Sequence, residues 1–170
     1  MRVASTFRWL TSFLFPMITA ALVSCTGQGL PATTTVTVEG RAFQCRISVT
    51  EATRELGLGG VTALGENEGM IFAFTDSTTR NFWMRGCVID MDIAFIDPFG
   101  FVTAVHTMPK EELQRPDETE NDYYTRLKRY PSLLPAQFVL EVSPGTLAQL
   151  GVKRGTRVEF DRDLLKKHAE

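Results

Sequence analysis

Asp90 and Asp92 stand two residues apart in NFWMRGCVIDMDIAFID, residues 81–97, among bulky apolar side chains. On an extended strand two such carboxylates share one face, about 7 Å apart. Carboxylate pairs at such separations serve glycoside hydrolysis, and burial can split their pKa values as acid–base chemistry requires. The structural alternative is that Asp92 accepts backbone N–H bonds, or pairs with Arg54 or Arg85, and fixes the start of its strand. A bond of that kind is worth about 1.5–3 kcal/mol, whereas a buried carboxylate without one is costly. The structural role is the preferred reading for Asp92, with Asp90 nearer solvent. Glu141, in AQFVLEV, is a third polar candidate on an otherwise apolar strand, expected on its outward side.

Trp83 with Phe82 and Phe95 could form a stacking platform for a ligand. Aromatics recurring at strand period more often belong to a core, and that reading is preferred. Trp83, Arg85 and Asp92 are the candidate binding residues. His106 is the only histidine before His168 in the C-terminal tail, so no nitrogen–sulfur cluster has metal-ligand spacing, and neither metal nor cofactor is expected. A Cys87–His106 nucleophile would need spatial contact and a third, orienting group. The sequence has no serine nucleophile elbow and no phosphate-binding loop.

Short elements must position these residues. TVTVEGRAFQCRISV alternates around Glu39-Gly40 and predicts a hairpin. Thr50 can cap a short helix, EATRELG, ending at Gly57. The glycine-rich stretch 57–69 reads as a plain connection. Strands follow at MIFAF, NFWM, DIAFI and FVTAVHT, the last two joined by a turn at Asp97-Pro98-Phe99-Gly100. Residues 108–135 are charged, with proline at each end; the middle, Asp117 to Arg129, predicts three helical turns with Asp122 paired to Arg126 and Tyr123 over Leu127. This insertion is expected to be a solvated flap over one sheet face. A strand AQFVLEV, a short helix PGTLAQLG, a strand TRVEF and a polar helical tail, residues 161–170, complete the chain. The expected class is β-rich α+β: a single compact small barrel or curved antiparallel or mixed sheet, with two or three short helices plugging its ends.

The N-terminal 24 residues carry Arg2 and Arg8 before an uncharged run from Trp9 to Ser24. Sixteen residues fall short of the ~20 a membrane span needs, and the layout is that of a secretory signal. LVSC, Leu22 to Cys25, resembles the lipobox of bacterial lipoprotein precursors. That resemblance implies a lipid on the Cys25 sulfur, export across the inner membrane, and anchoring in the envelope. Thr26 follows the cysteine, which favours the outer membrane facing the periplasm where two membranes exist. Residues 25–35 then form a flexible tether. Removing Arg2 and Arg8 from 18 basic residues leaves 16 against 20 acidic ones, a formal −4, which disfavours nucleic acid as partner. Cys45 and Cys87 are the remaining thiols: in an oxidising compartment they form a disulfide, or they are two small buried apolar groups.

ENEGMIFAF, NFWMRGCVIDMDIAFID, YPSLLPAQFVLEV and GVKRG, in this order, are similar to the bacterial and archaeal domain of unknown function 192. The resemblance covers residues 36–160 and rests on Gly69, Met70 and Phe72, on Phe82, Trp83 and Met84, on Asp92, and on Ala136, Val139, Leu140 and Glu141. It implies a compact β-rich domain, with no activity to carry over. This chain departs from the family pattern at Arg85-Gly86-Cys87 and at Asp90, where proline is usual. The function expected is a lipid-anchored, non-enzymatic binding or accessory module whose partner is an envelope protein or glycan. The alternative is a hydrolase of envelope glycan using Asp92, Asp90 and Glu141.

Overall fold

The computed structural model describes residues 29–170, so the expected signal segment, Cys25 and the start of the expected tether lie outside the described residues. β1 (Thr33–Val38) and β2 (Arg41–Ser48) form the expected hairpin. Glu39 and Gly40 both take positive φ, 46° and 78°, the backbone a tight two-residue turn needs to match strand twist. β1 starts three residues earlier than expected and so shortens the tether. Thr50 caps α1 (Glu51–Leu56) reciprocally with Thr53. The chain continues as β3 (Glu68–Thr78), β4 (Asn81–Phe82), β5 (Met91–Ile96), β6 (Val102–Met108), α2 (Glu120–Arg126), β7 (Tyr130–Pro131), β8 (Ala136–Val142), α3 (Thr146–Gln149), β9 (Val158–Glu159) and α4 (Arg162–His168).

Seven strands form one sheet in the order β6-β5-β8-β3-β2-β1-β9, and β4 pairs with β7 beside it. Only β2 and β3 run parallel. The sheet curls into a half-barrel whose outer strands meet. Val102 N–H donates to Thr156 O at 2.9 Å, Gly155 N–H to Val102 O at 2.8 Å and Val158 N–H to Gly100 O at 2.8 Å. Those bonds cover backbone that an open edge would expose to other chains.

Strand alternation divides the core in two. Phe43, Cys45, Ile71, Ala94, Phe138 and Leu140 face the barrel interior, plugged by Leu147 of α3 and Leu165 of α4. Met70, Phe72, Met91, Ile93, Phe95 and Val139 point outward, yet they are buried under Leu58, Met84, Cys87 and Tyr130. The C-terminal segment is helical as expected but is not a solvated tail. Leu165 is fully buried, and Glu170 N–H donates to Val49 O at 2.9 Å.

The insertion is a docked flap with a shorter helix than expected. Arg126 pairs not with Asp122 but with Glu118, at 2.6 Å through Nε, and its Nη2 also holds the carbonyls of Glu112 and Leu113. Asp122 instead accepts from Thr119, the helix cap. Tyr123 and Leu127 are both buried, and the Tyr123 hydroxyl accepts from Gly86 N–H at 2.9 Å. Of the two readings of the remaining thiols, the structure shows the second, two small buried groups without a bridge. Cys45 and Cys87 are free and buried, one in the inner cluster and one in the outer, with the sheet between them.

Candidate functional site

A cleft of about 460 Å³ opens on the outer face of the sheet, between α1 and the flap. Its wall is built on β3 and β4. Outward residues of β3 bring Phe72 and Phe74 to this wall, Phe72 buried behind it, and Phe82 of β4 stands edge-on to both, 5.3 Å and 6.4 Å between centroids. Trp83 follows at the rim, 38% exposed, with Tyr124 of α2 edge-on at 6.2 Å and the Arg129 guanidinium 4.3 Å from its ring. The sequence trio therefore separates: Trp83 and Phe82 line the cleft, whereas Phe95 lies beneath Phe82 as fully buried core.

Three arginines border this aromatic wall. Arg54 is fixed by backbone carbonyls: Nη1 donates to Val49 O at 2.6 Å and Ala73 O at 3.1 Å, and Nη2 to Glu170 O at 2.6 Å. Arg80 bonds Asp76 at 2.5 Å and Ala136 O at 2.9 Å. Both guanidiniums sit against Phe74, at 4.9 Å and 3.5 Å. Partial burial, and then the neighbouring Arg80 charge, lower the Arg54 pKa. Arg85, the third, reaches Glu120 at 3.2 Å and stacks on Tyr124.

Glu141 lies at the base. On β8 it is flanked by Met70 of β3 and Ile93 of β5, so its expected outward position is correct in side but not in exposure. It is buried, and one carboxyl oxygen has no hydrogen-bond partner. Burial raises its pKa to about 8, which keeps the group protonated, and a donor, at neutral pH. Cys87 also lines the cleft; burial first, and then the Glu141 charge, push its thiol up to about 12. Burial does the same to Cys45. Neither thiol supplies a thiolate near neutrality.

Asp92 belongs to the other side of the sheet. It lies opposite Val142, faces inward at 1% exposure, and accepts from Leu147 N–H at 2.9 Å and the Thr107 hydroxyl at 2.8 Å. The first bond caps α3 from a distance, since Gly145 at the cap position has no side chain to do so. Its partners are thus an amide and a hydroxyl, not Arg54 or Arg85, and as a binding residue it is displaced from the cleft. Asp90 is exposed and accepts from Lys110 N–H at 2.8 Å. The carboxylates proposed for glycan hydrolysis therefore do not converge, because adjacent positions on paired strands β5 and β8 put Asp92 and Glu141 on opposite faces. His106 is likewise engaged elsewhere: Nε2 meets Pro131 O at 2.8 Å, and the ring packs on Phe95 and Tyr130. Among the described residues, no cluster of His, Cys, Asp or Glu is arranged to hold a metal ion.

Of the expected binding residues, Trp83 and Arg85 line the cleft. Phe74, Arg80 and Tyr124 escaped the sequence reading. The alternation of β3 signals Phe74, but nothing local to Arg80 or Tyr124 announces that each crosses to an aromatic from another element.

The fold is shared with solved structures. One, from Sinorhizobium meliloti 1021 and described as a candidate transcription regulator, is 26% identical with a TM-score of 0.63, covering 80% of this chain and 99% of that one. Another, a protein of unknown function from Novosphingobium aromaticivorans DSM 12444, is 31% identical with a TM-score of 0.58, covering 82% of this chain and 91% of that one. No curated protein matches the chain. The profile of domain of unknown function 192 (DUF192, Uncharacterized ACR) matches residues 34–160, from β1 through β9, and the chain belongs to that family.

Proposed function

We propose that this protein is a non-enzymatic binding module of the cell envelope, tethered by a lipid on Cys25, whose ligand occupies the cleft between α1 and the flap. One observation carries the reading: a buried carboxyl, that of Glu141, with an unpartnered oxygen lies at the base of an aromatic-walled cleft. A buried polar group without a partner costs about 1–3 kcal/mol, and a ligand acceptor placed there would recover part of that cost. The lining suits a ligand with a flat apolar face and hydrogen-bond acceptors, as a sugar ring has. Envelope glycan is the class to test, with arginines bordering the cleft for an acidic substituent. A regulatory role on nucleic acid, suggested by the description of the Sinorhizobium protein, fits poorly with a formal charge of −4 on the processed chain.

The test uses a built-in probe. Trp9 and Trp83 are the two tryptophans, so the processed protein carries Trp83 alone. Titration with muropeptides released from peptidoglycan should shift Trp83 emission saturably. Glu141→Ala should weaken the binding about 2- to 10-fold, the equivalent of one net hydrogen bond. An unchanged emission, together with no muropeptide retained in equilibrium dialysis, would reject glycan as the ligand. The anchor is tested separately: Cys25→Ser should release the protein from membranes or strand its precursor.

A further inference from the structure

We propose that the end of the half-barrel at which the tether joins lies against the anchoring membrane, with Phe99, Leu133 and Leu134 in the interfacial layer. This rests on the lipid-anchor reading for Cys25. The chain joins the sheet where Ala32 O accepts from Ile47 N–H at 3.3 Å. From Cys25 to Ala32 is seven residues, a reach of at most about 25 Å. A tether of that reach, joined here, allows this end to lie against the membrane.

Phe99, Leu133 and Leu134 lie at this same end. β5 and β8 are neighbours, with Ile96 opposite Phe138. The turn bearing Phe99 leaves just after Ile96, and the loop bearing Leu133 and Leu134 arrives just before Phe138, so the two loops emerge side by side. α4 ties this corner to the tether. Arg162 at its start donates to Phe99 O and Lys166 in its last turn to Pro98 O, while Glu170 N–H reaches Val49 O just beyond. Seven helical residues span only about 10 Å. Phe99 is 69% exposed and Leu133 65%, with Phe101 and Leu134 partly so. Apolar patches of this kind mark interaction surfaces, and Phe and Leu are side chains that membrane-surface segments bury at the headgroup boundary.

Both loops are held rigidly for display. Asp97 Oδ1 accepts from Phe99 N–H at 2.8 Å and from Phe101 N–H at 2.9 Å. Leu133 is held at φ 62°, a region a branched side chain rarely occupies. The buried Ser132 clamps that turn: its hydroxyl donates to Leu134 O at 2.6 Å and accepts from Arg80 N–H at 3.0 Å. A strained backbone that presents an apolar side chain to solvent is what a docking loop requires. The opposite end of the barrel is polar, exposing Glu66, Asn67 and Lys110.

The test uses the full chain, acylated at Cys25, in phosphatidylcholine vesicles containing nitroxide-labelled lipid. Cys45 and Cys87 are buried, so a cysteine introduced by Phe99→Cys, Leu133→Cys or Asn67→Cys takes an environment-sensitive fluorophore selectively. The probes at 99 and 133 should shift to the blue and be quenched, while the probe at 67 keeps its aqueous emission. Water-like emission at 99 and 133 from protein that floats with the vesicles would overturn the proposal and leave the anchor standing. Protein that does not float would remove the anchor and the proposal together. Shielding that grows with protein density but escapes the nitroxide would assign the patch to a second copy and overturn the proposal as well.

Discussion

Glu141 makes the pH dependence of stability a direct reading of the cleft. In the folded protein it keeps its proton up to about pH 8, whereas an ordinary glutamate releases it near 4.5. Between those limits the folded state binds one more proton than the unfolded state, so stability falls as pH rises. The contribution is fully present below about pH 4.5 and is lost as pH climbs through about 8, at roughly 1.36 kcal/mol per pH step. From pH 5 to pH 8 that amounts to about 4 kcal/mol, a large part of a typical folding free energy. Glu141→Gln abolishes the titration at nearly constant volume. Its amide would face the same apolar neighbours, Met70 and Ile93, and leave groups unpaired as the protonated acid also does. Relative to the variant, the wild type should therefore lose stability steadily from pH 5 to pH 8. Urea unfolding at half-unit intervals reads this as a drifting midpoint with little change in slope. Subtracting the variant removes every other titrating group from the comparison. Curves that run parallel from pH 5 to pH 8 would mean that the carboxyl is solvated or paired, and the electrostatic account of the cleft would fail.

Asp92→Asn should lower stability by about 1–3 kcal/mol, since the acceptor of Leu147 N–H and Thr107 is weakened, and a raised urea midpoint would refute this. Asp90→Asn, at an exposed position, should stay within ~0.5 kcal/mol in the same assay. Alkylation of unreduced, denatured protein should label both Cys45 and Cys87, with labelling of the native state far slower because burial holds both thiols at about 12; a mass corresponding to a bridged pair would contradict the structure. Gly69→Ala should cost about 1–3 kcal/mol, because its Cβ would lie 2.6 Å from Glu141 O and 3.0 Å from Cys45 Sγ; an unchanged thermal midpoint would show that the sheet yields there.

What was legible in the sequence follows from local physics. The Glu39-Gly40 hairpin, the Thr50 cap and the alternation of β8 each depend on residues within one or two turns of chain. The structural role of Asp92 was legible because a buried carboxylate needs donors, yet its donors, Leu147 and Thr107, come from α3 and β6 and carry no local mark. The same limit explains Arg126. Helical spacing pointed to Asp122, but Thr119 claims that carboxylate for the cap and Glu118 bends back to the guanidinium. Glu141 was placed on the correct side of its strand, but its burial depends on Leu58, Met84 and the flap folding over the outer face, which periodicity cannot register. The choice between the two readings of the cysteine pair is not local for a related reason: residues 45 and 87 sit on opposite faces of one sheet, and only the register of β2 and the path after β4 fix that.

The most direct measurement of the central claim is carbon NMR of the Glu141 carboxyl in glutamate-labelled protein, assigned by its absence in Glu141→Gln. The cleft account predicts titration near pH 8 in the free protein and a further rise with saturating muropeptide, because a ligand acceptor bonded to the neutral acid opposes ionisation. A carboxyl that titrates in the ordinary glutamate range, or one that does not respond to bound muropeptide, would contradict the account.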